Sequence, residues 1–375
     1  MKSTLINLLA NLVPVVLAAL DSLRAQPPPI AQRGFFYVGG QYAGANESEV
    51  MTGQMYVEFL RPALVTRKYP LVLFHGAAQT ATNWMGTPDG RAGWADYFLS
   101  HGYVVYMVDQ PARGRSAWHS STNAALSGLS PATVAQRFTA PEVKGSWPQA
   151  KKHTQWPGSG PGKGQKGDAI FDSFYATQVE YIAGTVETQT MMRAAGTALL
   201  DKIGPAILLT HSQGGTFGWL LSDSRPKLVK GIMAVEPAGP PFENTVTTAG
   251  NARPWGVTDI PVTYDPPANS ASDIRAVREA AIEGPDLAPC WKQSDPPRQL
   301  SNLKSIPVLI VTAEASYHAV YDHCTAKYLA QAGVKNTLLR LADAGIHGNG
   351  HMMMLEKNSD EIAAALHKWI AANVK

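Results

Sequence analysis

The chain has 375 residues, 45% of them apolar and 16% charged, with a formal net charge of +3. This excludes an intrinsically disordered chain, which needs low hydrophobicity and high net charge. The near-neutral balance gives no support to nucleic-acid binding, which concentrates basic residues on one face. The length suits two or three ordinary domains, or one α/β domain with long insertions. With 33 glycines and 27 prolines, loop formers are frequent but fall short of the low-complexity range.

The N-terminus differs from the rest. Lys2 precedes a mostly apolar stretch from Leu5 to Leu20, interrupted by Asn7, Asn11 and Pro14, and Leu23-Arg24-Ala25 follows it. This pattern is that of a secretory signal peptide spanning residues 1–25, cleaved after Ala25. The mature chain, 26–375, would then be secreted or periplasmic. The interruptions make the stretch a poor membrane span. Export would permit a disulfide between Cys290 and Cys324, the two cysteines; two unpaired buried thiols are the alternative. Neither cysteine lies in a C-x-x-C pair or beside clustered histidines, so no metal is expected. Asn46-Glu47-Ser48 is a glycosylation sequon, meaningful only in a eukaryotic host.

Downstream, short apolar runs alternate with helical stretches. Met55–Leu60 alternates and reads as an early, half-exposed strand. Runs at 71–74, 103–108, 206–209, 232–235, 308–311 and 338–341 lack alternation, as strands buried on both faces of a parallel sheet do. Helices are expected at 94–100, 178–200, 319–332 and 359–373. The alternation predicts an α/β fold with right-handed crossovers. Two segments break it, at about 118–175 and 240–305. They are too long for plain loops and read as lid-like insertions. Gly158–Gly164 lacks the P-loop residues, since Pro157 and Gly164 stand where Gly and Ser or Thr are needed; it reads as a flexible surface loop.

Polar residues follow the C-terminal ends of the apolar runs, the edge at which open α/β sheets bind ligands. Ser212, in Thr210-His211-Ser212-Gln213-Gly214-Gly215, lies between a strand and an apolar helical stretch. That is the context of a nucleophile elbow, with Thr210 departing from the first glycine of G-x-S-x-G. An acid and a histidine should follow in chain order. Glu236 ends the next strand and is the preferred acid; Glu314, one strand later, stays open. Of the two histidines after the last strand, His351 is the preferred base and His347 a pocket or structural residue, with Gly348 and Gly350 supplying freedom to turn. Backbone N–H groups of Gln213 and of Ala77, or of Ala78, would form an oxyanion hole.

His75-Gly76-Ala77-Ala78, the segment Asp109–Ser116, the elbow at Ser212, and Gly350-His351 followed by Leu355-Glu356 together resemble the α/β-hydrolase superfamily over residues 51–375. More narrowly, Glu236 and the stretch Thr87–Trp94 resemble a group of secreted bacterial carboxylesterases with a Ser-His-Glu triad. The resemblance implies an eight-stranded, mostly parallel sheet flanked by helices, no cofactor, and hydrolysis of a small-molecule ester through an acyl-enzyme. A lactone, amide or polyester hydrolase, a cofactor-free lyase, or a binding protein on the same scaffold are the alternatives.

Overall fold

The computed structural model describes residues 29–280 and 283–375; the expected signal peptide lies outside them. Eight strands form one sheet: β1 (Ile30–Ala43), β2 (Val50–Pro62), β3 (Leu71–Phe74), β4 (Val105–Asp109), β5 (Ala206–His211), β6 (Val229–Val235), β7 (Val308–Thr312) and β8 (Asn336–Arg340). Their order is β1-β2-β4-β3-β5-β6-β7-β8. β2 runs antiparallel to both its neighbours, and the pairs from β4 to β8 are parallel. This is the eight-stranded, mostly parallel sheet that the resemblance implies.

The continuous apolar runs exist because both faces are covered. Leu71, Leu73, Ile207, Leu209, Leu309 and Val311 face one core, shared with α1 (Trp94–Ser100) and α5 (Ser359–Asn373). Val72, Phe74, Leu208, Val308 and Ile310 face the other, under α2 (Thr185–Ile203), α3 (Gly215–Ser224) and α4 (Asp322–Gln331). Each such side chain contributes about 1.5–3 kcal/mol of burial. Adjacent residues point to opposite faces, so no polar alternation is possible in these strands.

The elements differ from the sequence reading at the sheet edges and in the second and third expected helices. β1 is an additional 14-residue strand. It is an edge strand, mostly exposed, in which polar and glycine positions flank the short apolar run Phe35–Val38. β2 is longer than Met55–Leu60, and Gln54–Glu58 are buried rather than half-exposed. β8 is half-exposed because it is the opposite edge. The helix expected from 178 begins at Thr185, because Tyr181–Ile182 pairs with Leu126–Ser127 as a small ribbon first. The helix expected from 319 begins at Asp322, after a 3₁₀ turn at Tyr317–Val320. α1 and α5 match end to end.

Both long insertions pack onto the domain. In 118–175, Trp147, Trp156, Phe171 and Phe174 join the core beneath α1 and α5. In Gly158–Gly164, residues 159–162 are exposed, while the Gly164 N–H donates to Asp168 at 2.7 Å and anchors the loop's end. In 240–305, Trp255, Val257, Ile260 and Leu300 join the other core. Cys290 of this insertion is disulfide-bonded to Cys324 of α4.

Candidate active site

β5 ends at His211, and the chain turns through Ser212, whose φ of 55° lies in the left-handed region. A serine held there is strained, and such strain gathers at functional sites. The turn projects Ser212 above the sheet and leads at once into α3. Thr210, where a glycine is usual, is fully buried. Its branched side chain fits because Gly218, one turn into α3, has none: a Cβ there would meet Thr210 Cγ2 at 3.3 Å. The missing glycine of the elbow has in effect moved into the helix it contacts.

The β3 loop lies against the elbow, since a Cβ on Gly76 would stand 2.9 Å from Ser212 Cβ. Ala77, Ser212 and Gln213 line one cavity of about 250 Å³. Ala78 does not line it; its φ of 58° turns the chain, and its carbonyl accepts the Val179 N–H at 3.0 Å. Arg113 braces both loops, donating to the Gly76 carbonyl at 2.9 Å and to Gln213 Oε1 at 3.2 Å. Burial pushes its pKa down to about 9.

His351 Nδ1 lies 2.6 Å from Glu236 Oε2, and both side chains are buried, 1% and 0% exposed. Glu236 follows β6 with a φ of 44°, a second left-handed turn at the sheet edge. Its carboxylate also accepts the Ala313 N–H at 2.8 Å and the Ser316 hydroxyl at 2.7 Å. Burial and the nearby Asp322 carboxylate nonetheless push the Glu236 pKa well above the carboxylate range. Burial, then the imidazoles of His211 and His318 and the Arg137 guanidinium, push the His351 pKa well below the ordinary value. Both directions favour an uncharged imidazole at neutral pH. The other acid and the other histidine pair with each other: Glu314 lies 3.2 Å from His347 Nδ1 and also accepts from Lys152 and the Gly348 N–H. The His347 side chain is 62% exposed, so this second pair sits at the surface.

Sequence reasoning missed three features here. Tyr317 Oη stands 3.3 Å from His351 Nε2 and neighbours the Ser212 hydroxyl; among the described residues no hydrogen bond joins Ser212 to His351. Aromatic rings near a strand end carry no such signal by themselves. Next, His318 stacks on His351 at 4.9 Å, with Nδ1 held by Asp322 at 2.8 Å and Nε2 by Tyr321 at 3.1 Å. Glu236, His318 and His351 bring ligand atoms within 4.8 Å of one another, yet each is already committed to these hydrogen bonds. His211 Nε2 lies 3.0 Å from the His351 carbonyl.

The third feature is a brace behind the histidine loop. Glu356 accepts from the Gly350 N–H at 3.0 Å and from Asn349 at 2.7 Å, and His153 of the first insertion bridges Glu356 and Glu142 at 2.7 Å each. A Cβ on Gly350 would stand 3.1 Å from the His153 ring. Gly350 therefore serves close packing, not freedom to turn. Burial disfavours charged His153, but the hydrogen bonds to Glu142 and Glu356 outweigh it and hold the pKa up at about 9. A pKa raised from 6.5 contributes stability that is full below pH 6.5 and is lost as pH rises through about 9. His153→Ala should cost about 3 kcal/mol by stranding the buried Glu356 carboxylate. Urea melts from pH 6 to 10 should show wild-type stability falling toward pH 9 and that slope much reduced in the variant.

The α/β hydrolase family profile matches residues 71–365. The chain belongs to the α/β-hydrolase family. It is 48% identical over 338 residues to "Probable secreted lipase phiG" of Fungal sp. (strain ATCC 74256), covering 90% of this chain and 88% of that protein. A solved structure titled as that of a novel bacterial esterase aligns with a TM-score of 0.62 at 24% identity, over 94% of this chain and 98% of that one. At that identity the likeness concerns the fold. No helix among the described residues is long and apolar enough to cross a membrane.

Proposed function

We propose that this α/β hydrolase is a serine esterase that cleaves carboxylic esters through an acyl-enzyme intermediate. The observation that carries the reading is the left-handed Ser212, set on a strand-to-helix turn beside a buried His351–Glu236 pair. In this reading Ser212 is the nucleophile, and His351 Nε2 takes its proton once the serine hydroxyl replaces Tyr317 at that nitrogen. Glu236 holds the imidazole through Nδ1 and stabilises its charged form. The N–H groups of Ala77 and Gln213 receive the developing oxyanion. His351 then protonates the leaving alcohol and activates the water that releases the acid.

The 118–175 and 240–305 insertions serve as the walls that select substrate, since Arg137, Phe138, Thr245 and Arg253 line the cavity from them. The 48% identical fungal protein, a probable secreted lipase, supports export, and the Cys290–Cys324 bridge is consistent with an oxidising compartment. The reading is tested with p-nitrophenyl esters of rising acyl length, a few lactones and amides, and a fluorophosphonate label. Esters should be turned over fastest, the label should map to Ser212, and Ser212→Ala should lose both. Labelling of another serine, or preferred turnover of amides, would reject it.

A further inference from the structure

The cavity beside Ser212 is unlike a long-chain lipid site. Six threonines line it: Thr185, Thr188, Thr216, Thr245, Thr247 and Thr248. Its volume, about 250 Å³, is at the small end for ligand pockets. Three charged side chains also face it. Asp259 accepts from Gln189 at 2.6 Å and from the Arg253 N–H at 3.0 Å. Arg253 is buried, donates to the carbonyls of Pro240 and Glu243, and has the Asp259 carboxylate as its nearby countercharge.

Among the described residues, Arg137 has no such partner. It is half-buried, and among the described residues its hydrogen bond is from Nη2 to the Thr247 carbonyl at 3.3 Å, with no ion pair. The anions closest to the reaction centre are satisfied without it. Glu236 has three donors, from Ala313, Ser316 and His351. Asp322 accepts from Thr312 at 2.8 Å and from His318. Arg137 is near enough that its charge acts on both His351 and Tyr317. A guanidinium presents a fork of donors that fits a carboxylate. The cavity thus carries one surplus positive charge within electrostatic reach of the reacting atoms.

We infer that Arg137 is a specificity-determining residue that recognises a carboxylate on the substrate, so that the preferred substrates are small, oxygen-rich esters bearing a free carboxylate rather than long-chain neutral lipids. This rests on the ester-hydrolase reading above. A charge-assisted hydrogen bond in a partly desolvated site corresponds to about a ten- to hundredfold preference in kcat/KM.

The test pairs esters of equal acyl carbon count in a pH-stat at low ionic strength: ethyl hydrogen succinate, glutarate and adipate against ethyl butanoate, pentanoate and hexanoate. Acetyl esters of small hydroxy acids, against acetyl esters of matched alcohols, place the anion on the other side of the ester. Wild type should prefer the anionic member of at least one series by tenfold or more. Arg137→Gln should bring that ratio close to one, and Arg137→Lys should retain part of it. Because each ratio is measured within one variant, partial misfolding cancels. A wild-type preference for the neutral member in every pair, or a ratio unchanged in Arg137→Gln, overturns the inference while leaving ester hydrolysis standing. Turnover of no ester at all by wild type overturns both readings together.

Discussion

Replacing His351 by alanine should lower kcat/KM for esters by about 10⁴-fold or more, the scale on which a nucleophile without its base fails, whereas His347→Ala should retain most of the activity. The reason is placement. His351 is buried with its Nδ1 on Glu236 and its Nε2 against the Tyr317 hydroxyl, which neighbours Ser212, while His347 is largely exposed and paired with Glu314. Steady-state kinetics on one p-nitrophenyl ester, with circular dichroism to establish folding, decide it. The same assay has a pH signature. His351 must be uncharged to accept the serine proton, and its pKa is pushed well below 6.5. Activity should therefore be present at neutral pH and fall on the acid side only below the ordinary histidine range. An acid limb above pH 6.5, or equal losses in the two variants, would contradict the proposed base.

The second large effect separates the two acids. Glu236→Gln should cost about 10⁴-fold in kcat, and Glu314→Gln less than about tenfold. The amide introduced by Glu236→Gln would present an N–H toward His351 Nδ1. The imidazole would then carry its proton on Nε2, and that nitrogen could no longer accept from Ser212. Shape is nearly conserved, so folding should survive; the Ala313 N–H retains an oxygen partner. Glu314 is bonded to Lys152, His347 and the Gly348 N–H, a set that trims one loop and touches no group proposed to react. A dead Glu314→Gln beside an active Glu236→Gln would move the acid one strand later and leave the proposed Ser212–His351 chemistry intact.

Much of the fold is legible in the chain because a doubly covered sheet writes itself into local composition. Leu71–Phe74, Ala206–Leu209 and Val308–Val311 are apolar at every position, since neighbouring residues face two different cores. α5 can be placed from Ser359 to Asn373 by its periodicity alone, although Asn358, not Ser359, stands at the cap and makes no side-chain capping bond. β1 could not be found this way. As an exposed edge strand it is held by backbone pairing to β2, from Ile30↔Pro62 to Ala43↔Val50, and its one short apolar run, Phe35–Val38, does not mark out the 14 residues that pair. The start of α2 was obscured for a related reason: the Tyr181–Ile182 ribbon pairs with residues more than 50 positions away.

The sequence by itself determined the alternation of strand and helix, the serine on its turn, and the chemical types that follow at the strand ends, because each depends on residues within about ten positions of one another. The tertiary structure alone decided which carboxylate meets which imidazole. Glu236 and His351 are 115 residues apart in the chain and 2.6 Å apart in space, and chain spacing sets no such distance. The same holds for Thr210, whose tolerance at the elbow depends on the missing side chain of Gly218 across the turn. It holds also for Arg137, whose charge gains meaning only when folding carries an insertion to the rim of the Ser212 cavity, where it makes no ion pair among the described residues. Local chemistry decides what a segment becomes; packing decides which distant groups share one low-dielectric space, where a hydrogen bond or an unpaired charge acquires its energy.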